Sequence, residues 1–208
     1  MPSLREDPMS QLPAIELLVN LGWEYLTPDE ALAERGGRMR SVILEPILRQ
    51  QLRAINHFNY KGRTQQFSDA GIETAIDAIT GMQDDGLVPT NHRIYDLLCL
   101  GKSVEQVVDG SPLNPQLRYF DFEHLENNTF HVTEEFEVER MGSAKPRIPD
   151  LVLFVNGIPL GVIECKSPLL GKKAMPEAIS QHTRNQKAGE IPQLFWYAQL
   201  LLALSQDQ

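Results

Sequence analysis

Cysteine is scarce in this chain. Two occur in 208 residues, Cys99 and Cys165. They lie far apart, with neither zinc-ligand spacing nor the density of a disulfide framework, which fits a reducing, cytoplasmic setting. No apolar run approaches the ~18–20 residues of a membrane span. The opening MPSLREDPMSQLP carries mixed charge where a signal peptide would have an apolar core. A membrane role is therefore not expected. The five histidines, His57, His92, His124, His131 and His182, show no metal-ligand spacing. Gly101-Lys102-Ser103 looks like the end of a phosphate loop, but the first glycine of that motif would fall on Asp96. The segment reads instead as a helix-ending turn, and no ATP site is expected in this chain.

A surplus of positive charge is also missing, since the net charge is −9. Its distribution is uneven, however. Between Arg140 and Lys187 there are eight basic residues and three acidic ones. A local basic stripe matters more to a phosphate backbone than the chain average does.

The hydrophobic pattern divides the chain. Residues 11–26 place Ile15, Leu18, Val19 and Trp23 at helical spacing and predict an opening amphipathic helix that ends between Gly22 and Pro28. Residues 29–40, with Gly36-Gly37, read as a connection. Further helices are predicted over 42–57, with Pro46 in the first turn, over 68–81, with Ser68 as N-cap, and over 91–99. After Pro115 the texture alternates, predicting strands over 117–122 and 129–139 around an Asn127-Asn128 turn. LVLFV (151–155) and IPLGVIECK (158–166) are nearly continuous apolar runs, as expected of central strands covered on both faces. Residues 174–188 return to helix. Residues 193–204 read as a strand followed by a helix, or as one buried helix. The predicted class is α/β, a mixed central sheet flanked by helices, in one domain whose helical part runs to about 112 and whose sheet part follows.

The chemistry concentrates at Pro149-Asp150 and Glu164-Cys165-Lys166. Asp150 and Glu164 offer the hard oxygen ligands that Mg²⁺ prefers, and the backbone carbonyl of Cys165 is a candidate third ligand. Lys166 is placed to orient an attacking water and to offset charge on a phosphate. Ionisable groups at the ends of such apolar strands are costly unless paired or bound to metal. Side chains on a strand alternate faces, so Asp150 can share a face with Glu164 only under a register condition. A plain two-residue Asn156-Gly157 turn would put the two carboxylates on opposite faces. The expectation is a three-residue loop with Gly157 at positive φ, or a bulge near Gly161.

The run RIPDLVLFVNGIPLGVIECKSP (147–168) resembles the nuclease core of the type I restriction enzyme R subunit, a member of the PD-(D/E)xK superfamily. Supporting likeness runs from the early helix with Glu16 and LGWEY, through AIN (54–56) and the strands from Tyr119 to Val138, to IPQLFWYAQLLLAL at the end. The resemblance implies a restriction-endonuclease-like core that cuts double-stranded DNA with Mg²⁺, its motif residues falling on Asp150, Glu164 and Lys166. It adds Glu16 as a candidate metal neighbour. Candidate DNA contacts are Gln181, Arg184, Asn185, Lys172 and Lys173. Asn185 stands where the family often has a tyrosine four residues after its glutamine. The resemblance further implies a longer subunit with an ATP-driven motor, working with methyltransferase and specificity subunits, of which this chain is an N-terminal fragment. The rival readings are a non-catalytic docking module of such a complex and a stand-alone repair or junction nuclease.

Overall fold

The computed structural model describes residues 8–205. Five strands form its central sheet: β1 (Glu24–Leu26), β2 (Phe130–Glu134), β3 (Leu151–Val155), β4 (Ile158–Lys166) and β5 (Leu200–Ser205). They lie side by side in that order. The outer pairs β1–β2 and β4–β5 are parallel, while β2–β3 and β3–β4 are antiparallel. The sheet is therefore mixed.

The apolar runs at 151–155 and 158–166 occupy its middle, as their composition requires, because both faces are covered. On one face Val152, Phe154, Ile158 and Val162 join the larger core. On the other, Leu151, Leu153, Ile163 and Cys165 pack with Val132 and Ile15. Helix α1 (Pro8–Asn20) brings Ala14, Ile15 and Leu18 to this smaller cluster. Helices α2 (Pro28–Ala33), α3 (Glu45–Ile55), α4 (Asp69–Thr80) and α5 (Leu87–Leu100) supply the larger one through residues such as Ala31, Leu48, Leu52, Ile76 and Ile94. Helix α6 (Ala174–Asn185) lies against β4 and β5. Both parts of the chain share the larger core, and β1, from the helical part, belongs to the sheet. Among the described residues no helix is long and apolar enough to cross a membrane.

Local chemistry explains where the elements begin and end. Ser68 caps α4 by accepting from the Gly71 amide at 3.2 Å, and Pro46 sits in the first turn of α3. The opening helix stops at Asn20, two residues before Gly22, where its expected end began. Gly22, at φ +96°, takes the left-handed position of a Schellman motif, with Trp23 N–H donating to Leu18 O and Gly22 N–H to Val19 O. Trp23 thus packs edge-on against Phe130 from beyond the helix, and Val19 is exposed. The segment expected to be a plain connection contains α2, held by a capping box between Thr27 and Glu30.

Three strand expectations are corrected. Over 117–122 only Gln116–Leu117 pairs, with Lys102–Ser103; the Asp121 carboxylate then accepts from the Glu123 and His124 amides and turns the chain. The 129–139 run breaks at Glu135, which takes φ +47° so that its amide and that of Phe136 reach the carbonyls of Asp150 and Pro149. At 193–204 the order is reversed. A short helix, Pro192–Phe195, precedes strand β5, because the open edge of β4 offers partners along Gly161–Lys166 that periodicity in the sequence does not reveal.

Candidate active site

The β3–β4 hairpin sets the geometry. Its turn is the two-residue kind, with Asn156 at φ +51° and Gly157 at φ +81°, and Val155 faces Ile158. The expected three-residue loop is therefore absent. The alternative holds instead: Phe154 faces Pro159, Leu153 faces Gly161, and Leu160 is the extra residue of a bulge. The bulge has a steric basis, since a Cβ on Gly161 would sit 3.1–3.4 Å from the Leu153 side chain. Beyond it the register runs through Val152–Val162 to Leu151–Ile163. The next step along that register sets Asp150 opposite Glu164, on one face.

Asp150 lies just before β3 and accepts from the Cys165 backbone N–H at 2.7 Å. In an extended strand the N–H and C=O of one residue point to the same lateral side, so the Cys165 carbonyl is directed toward Asp150 as well. The Cys165 side chain points the other way, into the smaller core, where burial pushes its thiol up to about 12. Glu164 is fully buried, and neither of its carboxyl oxygens has a hydrogen-bond donor among the described residues. What it faces is the Asp150 carboxyl, another acceptor. Burial first, and the Asp150 charge second, push Glu164 up to about 9, with Lys166 opposing them. Asp150 is also raised by burial, though the Cys165 N–H and Lys166 hold it back. A buried carboxyl facing a half-buried one with no donor between them requires a proton or a cation.

Lys166 is 7% exposed, and its Nζ donates to Gln181 Oε1 at 2.7 Å. Gln181, one of the expected DNA contacts, thus sits on α6 as the residue that holds the lysine. Arg184, one turn further along α6, is exposed and near enough for its charge to favour the Glu164 carboxylate. Asn185 is buried, with its carboxamide oxygen facing Arg184 Nε at 3.4 Å. Lys172 and Lys173 are exposed on the 3-10 turn between β4 and α6. The basic stripe is partly neutralised: Arg140 and Arg147 both converge on Glu190. Glu16 is exposed on α1, in a shallow hollow with Val19 and Tyr25, and no contact joins it to the carboxylate pair.

Gln11 was not singled out in the sequence. It sits one turn before Ile15 on α1, near enough to Asp150 for its carboxamide to favour that carboxylate. Its position on the same helical stripe as Ile15 was the available signal. His182 is buried beside the site with Nε2 at 2.8 Å from Leu202 O, and burial lowers its pKa. Among the described residues no three His, Cys, Asp or Glu side chains converge as a metal set. The site is a two-carboxylate one, with a backbone carbonyl and a lysine beside it.

A family model described as "Type I restriction enzyme R protein N terminus" matches residues 3–208. The type I restriction enzyme HindI endonuclease subunit of Haemophilus influenzae is 31% identical over 203 residues, which cover 96% of this chain and 18% of that protein. The putative type I restriction enzyme MjaIXP endonuclease subunit of Methanocaldococcus jannaschii is 31% identical over 202 residues, again 96% of this chain and 18% of that protein. A second subunit from that organism, the putative MjaVIIIP one, is 29% identical over 195 residues. The chain spans about 18% of the length of the first two. It belongs to the family of type I restriction enzyme R protein N termini.

Proposed function

We propose that this domain is a Mg²⁺-dependent DNA endonuclease with a restriction-endonuclease-like, PD-(D/E)xK core. One observation carries the reading: a fully buried glutamate whose two oxygens find no donor, facing a second carboxyl at the end of the central strands. A hard divalent cation fits this donor set, with oxygens from Asp150, Glu164 and the Cys165 carbonyl and with water completing its shell. Such a cation, when bound, supplies an acidified water and charge neutralisation for the phosphodiester.

The side chains do the rest. Asp150 is fixed through one of its oxygens by the Cys165 amide. Lys166 is held by Gln181 and brings positive charge to where a phosphate oxygen gains negative charge during attack by water. Arg184, Lys172 and Lys173 are exposed on the segment that leads from β4 through α6 and offer positive charge to a duplex backbone. A docking module without chemistry would leave the buried Glu164 carboxyl, which faces Asp150 and has no donor among the described residues, unexplained. In the longer subunit we place this domain beside an ATP-driven motor, acting in the cytoplasm with methyltransferase and specificity subunits on double-stranded DNA.

Calorimetric titration with Mg²⁺ or Mn²⁺ tests the reading. Binding is expected in the native chain and should vanish in Asp150→Ala. If the native chain binds neither cation, the catalytic reading falls.

A further inference from the structure

Helix α6 carries Gln181, which holds Lys166, yet little apolar surface holds α6 itself. Its buried residues are Ala174, Ala178, His182 and Asn185, so the aliphatic part of its inner face is two methyl groups. The larger apolar side chains, Met175 and Ile179, are exposed. No side chain caps its first turn. Helices in proteins owe most of their stability to tertiary packing, so a helix with this face depends on its polar contacts.

His182 makes the buried one. It is 6% exposed, and its Nε2 lies 2.8 Å from the carbonyl oxygen of Leu202 on β5. A carbonyl only accepts, so Nε2 carries the ring proton and donates it. Burial disfavours a second proton, which leaves Nδ1 bare, and that nitrogen is buried with no partner among the described residues. The ring also meets Phe195 edge-on, with centroids 6.4 Å apart. Leu202 stands in register with Ile163, and Ala203 with Glu164, so the bonded carbonyl lies beside the carboxylate end of β4. One residue earlier on the helix, Gln181 Oε1 accepts from Lys166 Nζ at 2.7 Å. Consecutive residues of α6 thus tie it to both strands beneath it, His182 to β5 and Gln181 to β4.

We infer that His182 is a positioning residue: it fastens α6 to β5 and thereby keeps Gln181 on the Lys166 amino group. The inference rests on the nuclease reading, in which Lys166 needs a fixed place beside the phosphate. His182 does not touch the reacting atoms. Its Nε2 is taken by Leu202, and its Nδ1 is buried and reaches neither solvent nor a phosphate. An aliphatic side chain at this position would add apolar contact but deprive the Leu202 oxygen of its donor from α6. The helix could then shift on its two alanines and carry Gln181 away from the lysine.

Acetic anhydride labelling of lysines in the 208-residue chain, read by mass spectrometry, is the test, with the exposed Lys61 and Lys145 as internal standards. Gln181→Ala should speed the labelling of Lys166 at least fivefold. His182→Phe keeps a ring against Phe195 but has no N–H, and it should do the same. His182→Gln, whose carboxamide reaches as far as Nε2, should stay within twofold of the native chain. His182→Asn is too short to reach Leu202 and serves as the second variant should His182→Phe fail to fold. Hydrogen exchange should quicken in α6 and not in the central strands. The inference is overturned if Lys166 labelling is unchanged in Gln181→Ala or in the Phe and Asn variants, or if His182→Gln labels as fast as they do. It is equally overturned if exchange quickens through the central strands as well, the mark of a merely structural histidine. Mn²⁺ calorimetry on the same samples keeps the two readings apart. His182→Phe should bind the cation as the native chain does, because the carboxyls are untouched. A native chain that labels as expected but binds no Mn²⁺ overturns the nuclease reading and leaves the tie from His182 to Lys166 standing.

Discussion

The two ends of the β3–β4 hairpin bury polar groups in opposite ways. At the turn, Asn156 is fully buried and every polar atom of its side chain is used. Its Nδ2 donates to the Tyr119 carbonyl and to Asn128 Oδ1, each at 2.9 Å, and its Oδ1 accepts from the Thr129 amide at 2.8 Å. Gly157 continues the network by accepting from the Leu44 amide at 2.9 Å. At the far end Glu164 is just as buried, but its oxygens accept from no donor among the described residues. The first end is finished by the chain itself. The second, on the proposed reading, is completed by a divalent cation. Polar groups buried for structure are satisfied internally, whereas polar groups buried for chemistry are satisfied by their ligand.

The largest test of this contrast strikes the turn. Gly157 sits at φ +81°, and an added Cβ would lie 2.5 Å from the Leu44 carbonyl oxygen and 3.0 Å from the Leu48 amide. Gly157→Ala should cost about 2–4 kcal/mol through strain and lost contact with α3. Urea denaturation would read this as a lower midpoint at unchanged slope. A loss below about 0.5 kcal/mol, the size of an ordinary surface change, would mean the turn is not the structural end of the hairpin.

The second test strikes the open end and has the opposite sign. In cation-free buffer Glu164→Gln removes a buried acid that faces Asp150 and should raise stability by about 1–3 kcal/mol, while cation binding is lost. A destabilised variant would show that Glu164 is a structural group like Asn156.

The smallest effect is that of pH. Glu164 titrates near 9 in the folded protein, far above an unfolded glutamate. Between those values the folded state keeps a proton that the unfolded chain has released. The resulting stability is present at low pH and is lost as pH rises through about 9. His131 and His182 are held below their ordinary range by burial, so their linkage acts mainly below pH 7, outside the pH 7 to 9 comparison. The melting temperature in EDTA should therefore fall from pH 7 to pH 9, and excess Mg²⁺ should flatten the slope. A profile that is flat without cation, or unchanged on adding it, would contradict the pairing of Asp150 with Glu164.

Much of this was legible before the fold. Apolar runs at 151–155 and 158–166 marked the central strands because only doubly covered strands are apolar at every position. Ser68, Pro46 and Gly22 announced helix ends through their own backbone and side-chain chemistry. Asp150, Glu164 and Lys166 stood out because charge at the end of an apolar strand needs a reason. Less visible were features that depend on distant partners. The strand at 200–205 depends on the open edge of β4. The break at Glu135 follows from the carbonyls of Asp150 and Pro149. The contact between Gln181 and Lys166 arises only when α6 sets the two side chains together.

By itself, then, the sequence determined the composition of the site, its placement on central strands and the condition its register had to meet. Parity demanded either a longer turn or a bulge. Tertiary structure chose between them, because Leu153 needs the space a Cβ at position 161 would fill, and Asn156 needs the tight turn to reach Tyr119 and Asn128. That choice is one of packing between residues far apart in the chain, and it is what brings Asp150 opposite Glu164.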